Sequence, residues 1–556
     1  MPASSLPVLP VFPDGSLPPL PLLRQWFREA AEAGEELGCE RLPHGNGILP
    51  PLMQLAGMRR LRIFRPDLPR RFRWQNSDGS AEVVVDNRGV EEELAEDAAL
   101  EVRRGHLPPC PGSEGSSGRV IDRVMRRVEA ARLTDGAAIL DDGIGADWRP
   151  ALSALSYGGA PPPLRTQSIA LEDGPMRVWN PLPFARRCVA ALPPDGQAPP
   201  WSVIDHRGAK HPIQVVEGPV GEQWLTELQL GPLEVVDLVP YHDPVNAEHW
   251  EVSAKVIDNG VVRAELDDRG AIRRLCCDGR FINAAGPLAE PLVDGHALGG
   301  EVHIRPLERG PSRGRVLVTI DDEAGVLRLI YSVHAHDDIL QVAVTWNPRR
   351  DCELVLRHPI PAGPATLTSC GDGAPDVLPL GNLSTSEAAR PRGGLRWVRL
   401  ERGEESMALV GQRPFTLIPA DASIVVGDGC LYGLGWGRRS GEQLSLAEAA
   451  LSLGVPGRHA GSAEVAAPAF HLGDHHQLTA LWMAKPEDWA LEVLLVEQNG
   501  VSGRAELYPH PQFEALNEAR LVDADGRKLE SLSLTKEGDG WIIPYQPHSI
   551  SIVRLR

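Results

Sequence analysis

The stretch "RVLVTIDDEAGVLRLIYSVHAHDDILQVAVTWN", residues 315–347, carries the pattern that decides the fold of most of this chain. Apolar and polar residues alternate along its segments, and acidic, glycine-containing turns separate them. Alternation with a period of two is typical of strands that have one buried face. The stretch therefore predicts antiparallel strands, with "HAHDD" (334–338) at the tip of a hairpin.

Segments of this kind fill the chain after about residue 175 and continue to the terminal "HSISIVRLR". Turn signals such as Asp-Asn-Gly and Asp-Asp-Arg-Gly separate them. Because no helical pattern interrupts this half, we expect large antiparallel β-sandwiches.

The first 175 residues have a different character. Apolar residues recur at helical spacing in residues 22–38 and 118–133, and residues 150–175 are typical of a linker. The basic stretch "MRRLRIFRPDLPRRFRW" (58–74) alternates arginine with apolar residues, which favours a strand and its flanks over a polyanion site. Before it, a "HGNG" turn leads into a helix whose first turn carries two prolines.

Length and charge narrow the classes of function. A chain of 556 residues requires several domains. Its 56 basic and 75 acidic side chains give a net charge of −19, which repels phosphate backbones and anionic membranes. Apolar runs are too short to span a bilayer. We expect neither a nucleic-acid nor a membrane partner.

Cysteine usage indicates a reducing compartment. The eight cysteines are scattered and form no Cys-x-x-Cys pair, which excludes a zinc ribbon and a dense disulfide framework. The N-terminal segment lacks a basic start and is interrupted by prolines, so it is a poor signal peptide. The expected location is cytoplasmic.

Several motifs occur in an order that resembles a known family. These are "VWNPLPF" (178–184), "VIDHRGAKHPIQ" (203–214), "VIDNGVVRAELDDRGAIRRL" (256–275) and "GDHHQLTALW" (473–482). Each is weak alone, but together they resemble the α-mannosidases of glycoside hydrolase family 38. Near the N-terminus, "ERLPHGNGILPPLMQLAG" (40–57) is similar to the strand–turn–helix that carries the nucleophile of that family.

The resemblance implies a mixed α and β protein. A shortened α/β domain, the remnant of a β/α barrel-like catalytic domain, would be followed by a small helical segment and by large antiparallel β-sandwich domains of the galactose-mutarotase-like type. The implied boundaries are 1–115 for the α/β domain, 116–174 for the helical segment and linker, 175–255 for a small sandwich, 256–485 for the large sandwich and 486–556 for a C-terminal β domain.

The chemistry that the family needs is missing at the matching positions. A retaining glycosidase requires a carboxylate nucleophile and a carboxylic acid. The nucleophile position falls on Arg41, whose guanidinium stays protonated and can neither attack an anomeric carbon nor bind zinc. Glu40 could replace it only through a one-residue gap in a tight turn. The family also binds zinc through a His-x-Asp pair, and the segment carrying that pair would precede the region where this chain begins.

Other family positions are retained only in part. Asp14 and Arg24 match the family's first helix start, whereas Arg103 replaces a histidine of the "L-E-x-H-R-G" motif. Asp141 replaces the metal-binding histidine, with Asp142 kept beside it. Asp141 is thus a weak candidate ligand for a divalent ion, and two solvated carboxylates are the favoured interpretation. We expect no cofactor, with zinc as the metal if a site survives.

Two functions remain open. The first is an α-mannosidase-type protein of mannose metabolism, predicted to be inactive or severely impaired as this single chain. The second is a non-catalytic β-sandwich protein that binds carbohydrate or acts as a scaffold. A mannoside is the expected ligand class, and a homo-oligomer stays open. The histidines of "HLGDHH" (471–476) are better explained by a strand at a sandwich edge than by a metal site.

Overall fold

The computed structural model describes residues 36–39, 49–88, 100–104 and 176–556, with gaps inside these ranges such as 193–198, 460–469 and 510–515. The predicted helix at 118–133 and the linker at 150–175 lie outside the described residues. No helix among the described residues is both long and apolar enough to cross a membrane.

A mixed five-stranded sheet forms the N-terminal layer. Strands β1, β2 and β4 run parallel to one another, whereas β3 is antiparallel to β4 and parallel to β5. The order in the sheet is β1-β2-β4-β3-β5. In the described part of the chain this layer is an open mixed sheet, and the predicted remnant of a barrel stays a prediction. The elements of this layer are β1 (Glu36–Cys39), α1 (Leu49–Leu55), β2 (Arg60–Ile63), β3 (Arg71–Gln75), β4 (Glu82–Asn87) and β5 (Glu101–Arg104).

The helix predicted for residues 22–38 is wrong at its end. Residues 36–38 belong to β1, because the backbone of Glu36–Cys39 pairs in register with Arg60–Ile63 of β2. The predicted helix after "HGNG" is confirmed: α1 begins at Leu49 and contains both prolines in its first turn. Proline is tolerated there because the first N–H groups of a helix have no intrahelical acceptor.

The small sandwich consists of two antiparallel sheets. Their orders are β10-β11-β7 and β31-β6-β12-β8-β9, where β31 (Arg458–His459) comes from a later part of the chain. Val178, Val203, Trp224 and Leu238 meet in the core between them. The other strands are β6 (Met176–Trp179), β7 (Arg186–Leu192), β8 (Ser202–Asp205), β9 (Lys210–Pro212), β10 (Gln214–Gly218), β11 (Gly221–Leu230) and β12 (Val235–Tyr241).

The large sandwich packs a five-stranded sheet, β13 to β17, against a sheet of thirteen strands. The predicted hairpin around "HAHDD" is confirmed, since β22 and β23 pair in register on either side of it. The strands are β13 (Glu251–Val252), β14 (Val256–Asp258), β15 (Val262–Leu266), β16 (Ile272–Cys277), β17 (Arg280–Phe281), β18 (Glu290–Val293), β19 (His296–Ala297), β20 (Glu301–Arg309), β21 (Arg313–Asp322), β22 (Gly325–His334), β23 (Ile339–Pro348), β24 (Leu354–Arg357), β25 (Thr366–Cys370), β26 (Asp376–Pro379), β27 (Arg392–Arg402), β28 (Glu405–Ile418), β29 (Ser423–Val426) and β30 (Gly429–Gly435).

Short helices interrupt this β region, which corrects the expectation that none would. The longest, α3 (Leu446–Leu453), is buried against β27, β28 and β30. Ser445 and Glu448 form a capping box: Ser445 N donates to Glu448 Oε2 (2.8 Å), and Glu448 N donates to Ser445 Oγ (3.2 Å). The others are α2 (Thr385–Ala388) and the 3₁₀ turns Leu380–Asn382 and Pro419–Asp421.

The C-terminal strands form two further sheets, ordered β32-β35-β39-β38 and β33-β34-β40-β36-β37. Strand β34 is buried on both faces. Leu495 faces the C-terminal core, whereas Leu494 and Val496 pack with α1 and the N-terminal sheet. The strands are β32 (Phe470–Leu472), β33 (Leu478–Ala484), β34 (Leu491–Glu497), β35 (Gly503–Pro509), β36 (Ala519–Val522), β37 (Lys528–Ser531), β38 (Ser533–Leu534), β39 (Trp541–Tyr545) and β40 (Ile550–Leu555).

The motif "VWNPLPF" joins the small sandwich to α3. The buried Asn180 donates from Nδ2 to the carbonyl oxygens of Phe184 (2.9 Å) and Gly231 (2.7 Å). Its Oδ1 accepts from Arg186 Nε at 2.9 Å, and Arg186 Nη1 donates to Ser452 Oγ at 3.1 Å. The motif therefore has a structural role, since its Asn180 holds Arg186, which contacts α3.

The motif at 256–275 has the same kind of role. Asn259 Nδ2 donates to the carbonyl oxygen of Asp337 at 3.0 Å, which ties this hairpin to the tip between β22 and β23. Asp267 Oδ1 accepts from Arg269 N (2.8 Å) and shapes the following turn. That turn requires a glycine, because Gly270 has φ +80° and a Cβ there would lie 2.3 Å from Val318 Cγ1.

Candidate functional site

Most residues singled out from the sequence lie outside the described part of the chain. These are Asp14, Arg24, Glu40, Arg41, Asp141 and Asp142. The elements on either side of the glycine-rich turn are described: β1 ends at Cys39 and α1 begins at Leu49.

Strand β1 ends at the carboxyl edge of the parallel strands. Cys39 pairs with Ile63, and Ile63 pairs with Asn87, so β1, β2 and β4 end side by side. In open α/β sheets, ligands bind beyond the carboxyl ends of the strands. This edge is the first candidate site, because the residues that follow Cys39 are those that the resemblance assigns to the catalytic turn.

The side chains described at this edge are engaged with one another. Arg65, which is only 1 % exposed, donates from Nε to Asp67 Oδ1 at 2.7 Å. Burial raises the pKa of Asp67, but the hydrogen bond and charge of Arg65 outweigh it and hold that pKa below its ordinary value. Asn87 accepts from Arg65 N at 2.8 Å and donates to the carbonyl oxygen of Leu68 at 2.9 Å. This cluster fixes the loop that connects β2 to β3.

Arg103 lies away from that edge. Its backbone is level with Trp74 and Val83, whereas Cys39 and Ile63 are level with Asn87. Four residues along a strand separate the two levels by about 13 Å. The side chain of Arg103 contacts Glu101, with Nη2 3.0 Å from Oε1, and its guanidinium carbon lies 5.9 Å from the centre of the Phe72 ring.

A second candidate site is an open groove in the large sandwich with a volume of about 370 Å³. Its polar wall is formed by Glu401 and Arg438, with Arg438 Nε 3.1 Å from Glu401 Oε1. Arg438 Nη1 also lies 3.1 Å from Glu404 Oε2. The hydrogen bond to Glu401 raises the pKa of Arg438 above its ordinary value. The lining residues are Pro364, Ala365, Thr366, Pro379, Gly381, Glu401, Gly403 and Arg438.

This wall combines carboxylate acceptors with a guanidinium donor. Such a combination can bind the hydroxyl groups of a polyol without requiring charge on the ligand. Sequence reasoning missed the groove because Glu401 and Arg438 come from separate parts of the chain that only the folded sheet brings together. The single local signal was the charged turn "ERGEE" (401–405) between β27 and β28.

Among the described residues, no three His, Cys, Asp or Glu side chains are grouped closely enough to hold a metal ion. His471 lies on β32, and its two neighbours His475 and His476 fall outside the described residues. His334 is half-buried at the end of β22, where desolvation lowers its pKa to about 3.

Comparison with known proteins addresses the fold. No family model matches the chain, and no curated protein matches it. An α-mannosidase from Enterococcus faecalis V583 superposes with a TM-score of 0.70 at 10 % identity, covering 99 % of this chain and 90 % of the other. The chain therefore shares its overall fold with this α-mannosidase. A glycosyl hydrolase family 38 protein from Enterococcus faecalis gives 0.63 at 10 % identity, covering 98 % and 89 %.

This likeness in fold includes the β region, with the sandwich that the sequence predicted. The likeness also extends over the N-terminal layer, because the α-mannosidase covers nearly the whole chain. At 10 % identity it describes the fold and leaves the chemistry to the residues themselves.

Proposed function

We propose that this chain is an α-mannosidase-related protein, derived from enzymes that act on terminal α-mannosides, and that it is inactive or severely impaired as a hydrolase by itself. The observation that carries this proposal is the sequence directly after β1. Arg41 stands where the resemblance places the nucleophile, two residues beyond the strand end at Cys39.

The physical argument concerns the guanidinium group. A retaining glycosidase needs a carboxylate that attacks the anomeric carbon and a second carboxylic acid that protonates the leaving oxygen. Arginine has no lone pair available for attack and repels a divalent cation.

An assay with an aryl α-mannoside and added Zn²⁺ or Co²⁺ tests the proposal. We expect turnover at the level of the protein-free control for wild type, and also for Arg41→Asp, because Asp141 still stands where the resemblance places the metal-binding histidine. Metal-dependent turnover well above that control would overturn the proposal. In that case Glu40→Gln identifies the alternative nucleophile, since it alone would abolish the activity.

We also propose a second function, binding of a neutral carbohydrate in the groove of the large sandwich. The observation that favours it is the carboxylate and guanidinium wall of Glu401 and Arg438 beside a cavity of about 370 Å³. A ligand that binds only the folded state raises the thermal midpoint as its concentration exceeds the Kd. Methyl α-mannoside should raise the midpoint of wild type, less so that of Glu401→Gln. No shift for wild type leaves a scaffold as the remaining function.

A further inference from the structure

The stretch at 58–74 places its arginines on one face of the N-terminal sheet. Leu61, Ile63, Phe72 and Trp74 are fully buried against α1 and the C-terminal sheet. Their neighbours in the alternation point the other way. This outer surface, which we call the arginine face, consists of Arg60, Arg62 and Phe64 from β2 and its end, and Arg71 and Arg73 from β3.

The register fixes the geometry of the arginine face. Arg60 and Arg73 both pair with Val84 of β4, and Arg62 and Arg71 both pair with Asp86. Two strand spacings separate each arginine pair by about 10 Å, and two residues along a strand separate the pairs by about 7 Å. The Cα atoms of the four arginines therefore lie at the corners of a rectangle, with the half-buried Val84 between two of them.

Acidic neighbours neutralise only part of this positive charge. Asp86 is already paired with Arg70 and with Arg88, whose Nη2 lies 3.0 Å from Asp86 Oδ2. Glu82 lies 3.6 Å from Arg73. Arg60 and Arg71 are exposed and have no ion pair with a described residue. In a chain of net charge −19, this is a localised cationic surface.

Phe64 supplies an independent indication of a ligand. It continues the alternation of β2 onto the same face and is 60 % exposed. A phenyl ring exposed beside guanidinium groups can stack on the apolar face of a ring-shaped ligand, whose anionic groups would bind the arginines. The surface is thus suited to a ligand that has both rings and negative charges.

We propose that the arginine face binds a short acidic oligosaccharide with carboxylate groups on its sugar rings. The rectangle is small, so a short ligand covers it. A long polyanion such as nucleic acid would extend onto the surrounding acidic surface, where it is repelled. An acidic peptide chain would satisfy the arginines but would not offer the Phe64 ring the apolar face of a sugar ring to stack on.

Binding of a fluorescent oligogalacturonate at low ionic strength tests the proposal, with matched single-stranded DNA and oligoglutamate as competitors. Arg60→Gln/Arg71→Gln should weaken binding about tenfold or more, since two charge-assisted contacts are lost. Phe64→Ala should weaken it several-fold without changing its salt dependence. The matched control is Arg305→Gln/Arg328→Gln, which removes two exposed strand arginines from the large sandwich and should leave binding unchanged.

Three outcomes would overturn the proposal. They are absence of oligogalacturonate binding to wild type, equal weakening by the control pair, and tighter binding of the DNA or the oligoglutamate than of the oligosaccharide. Thermal unfolding of each variant establishes that it is folded. Because the ligand is acidic and the site lies on the sheet face, failure here leaves the mannosidase proposal untouched.

Discussion

Gln214 of the small sandwich and Arg313 of the large sandwich exchange hydrogen bonds in both directions. Gln214 Oε1 accepts from Arg313 N at 2.7 Å, and Gln214 Nε2 donates to Arg313 O at 2.8 Å. The same oxygen accepts from Ser312 N at 2.9 Å. One buried side chain thus serves three backbone groups of the turn between β20 and β21, and it joins the two sandwiches.

Gln214→Ala should destabilise the protein, because it leaves buried backbone groups without partners. The expected loss is about 1–3 kcal/mol in the free energy of unfolding. Urea unfolding followed by tryptophan fluorescence measures it. Gln229→Ala, which removes an exposed glutamine from β11, is the matched control and should change stability by less than about 0.5 kcal/mol. Equal effects of the two substitutions would contradict the joint.

The titration of Glu448 should lower the free energy of unfolding as pH rises. Desolvation by burial raises the pKa of this carboxyl to about 7, and the hydrogen bonds from Ser445 oppose the shift. The folded pKa is above the ordinary value of 4.5, so folding favours the protonated form. Its contribution is complete below about pH 4.5 and is lost as pH rises through 7, by up to about 3 kcal/mol.

Glu448→Gln tests this, because glutamine can still cap α3. Unfolding free energies of wild type and variant at several values between pH 5 and pH 8 should diverge, with the variant gaining relative stability at the alkaline end. Parallel curves would show that Glu448 does not titrate in this range.

The titration of His358 should lower the free energy of unfolding as pH falls. It is fully buried, its Nδ1 accepts from Ala289 N at 3.3 Å, and desolvation lowers its pKa to about 3. The folded pKa is below the ordinary value of 6.5, so the stabilising contribution is present above 6.5 and is lost as pH falls toward 3. His358→Phe should be less stable at pH 7, because Ala289 N loses its acceptor, but should lose less stability between pH 6.5 and pH 5. A variant as acid-sensitive as wild type would contradict this.

The adjacent residues Leu494 and Leu495 test whether the N-terminal layer is part of the protein's core. Leu495 faces the C-terminal sandwich, whereas Leu494 packs with α1 and the N-terminal sheet. Each substitution to alanine should cost about 2–5 kcal/mol, as for other buried leucines. If Leu495→Ala lowers the free energy of unfolding strongly and Leu494→Ala does not lower it, the N-terminal layer does not cover β34.

The elements predicted best from the sequence were those with strict alternation, such as β22 and β23, because each has one buried face. β1 was assigned to a helix end, since four residues are too few to establish a period of two. The helix α3 carried a signal in the capping box at Ser445 and Glu448, but its small apolar residues lie within a long strand-rich region.

The candidate sites were predicted less completely. Motif comparison predicted the catalytic-type turn before α1 and the nucleophile position at Arg41, because the relevant residues are consecutive in the chain. Both lie outside the described residues and stay predictions. The groove beside Glu401 and Arg438 and the spacing of the arginine face depend on which strands become neighbours, and β3 and β4 pair in an order that the alternation alone does not determine.

The shared core of α1, the N-terminal sheet and the C-terminal sheet has a consequence for biosynthesis. Leu52, Phe72 and Val85 are packed against residues such as Leu494 and Ile552, which follow more than 400 positions later. During translation, the apolar face of the N-terminal layer therefore stays exposed until β34 and β40 have left the ribosome. The core around α1 is therefore completed only after β34 and β40 have been synthesised. Chaperone protection of the nascent N-terminal layer would matter most in that interval.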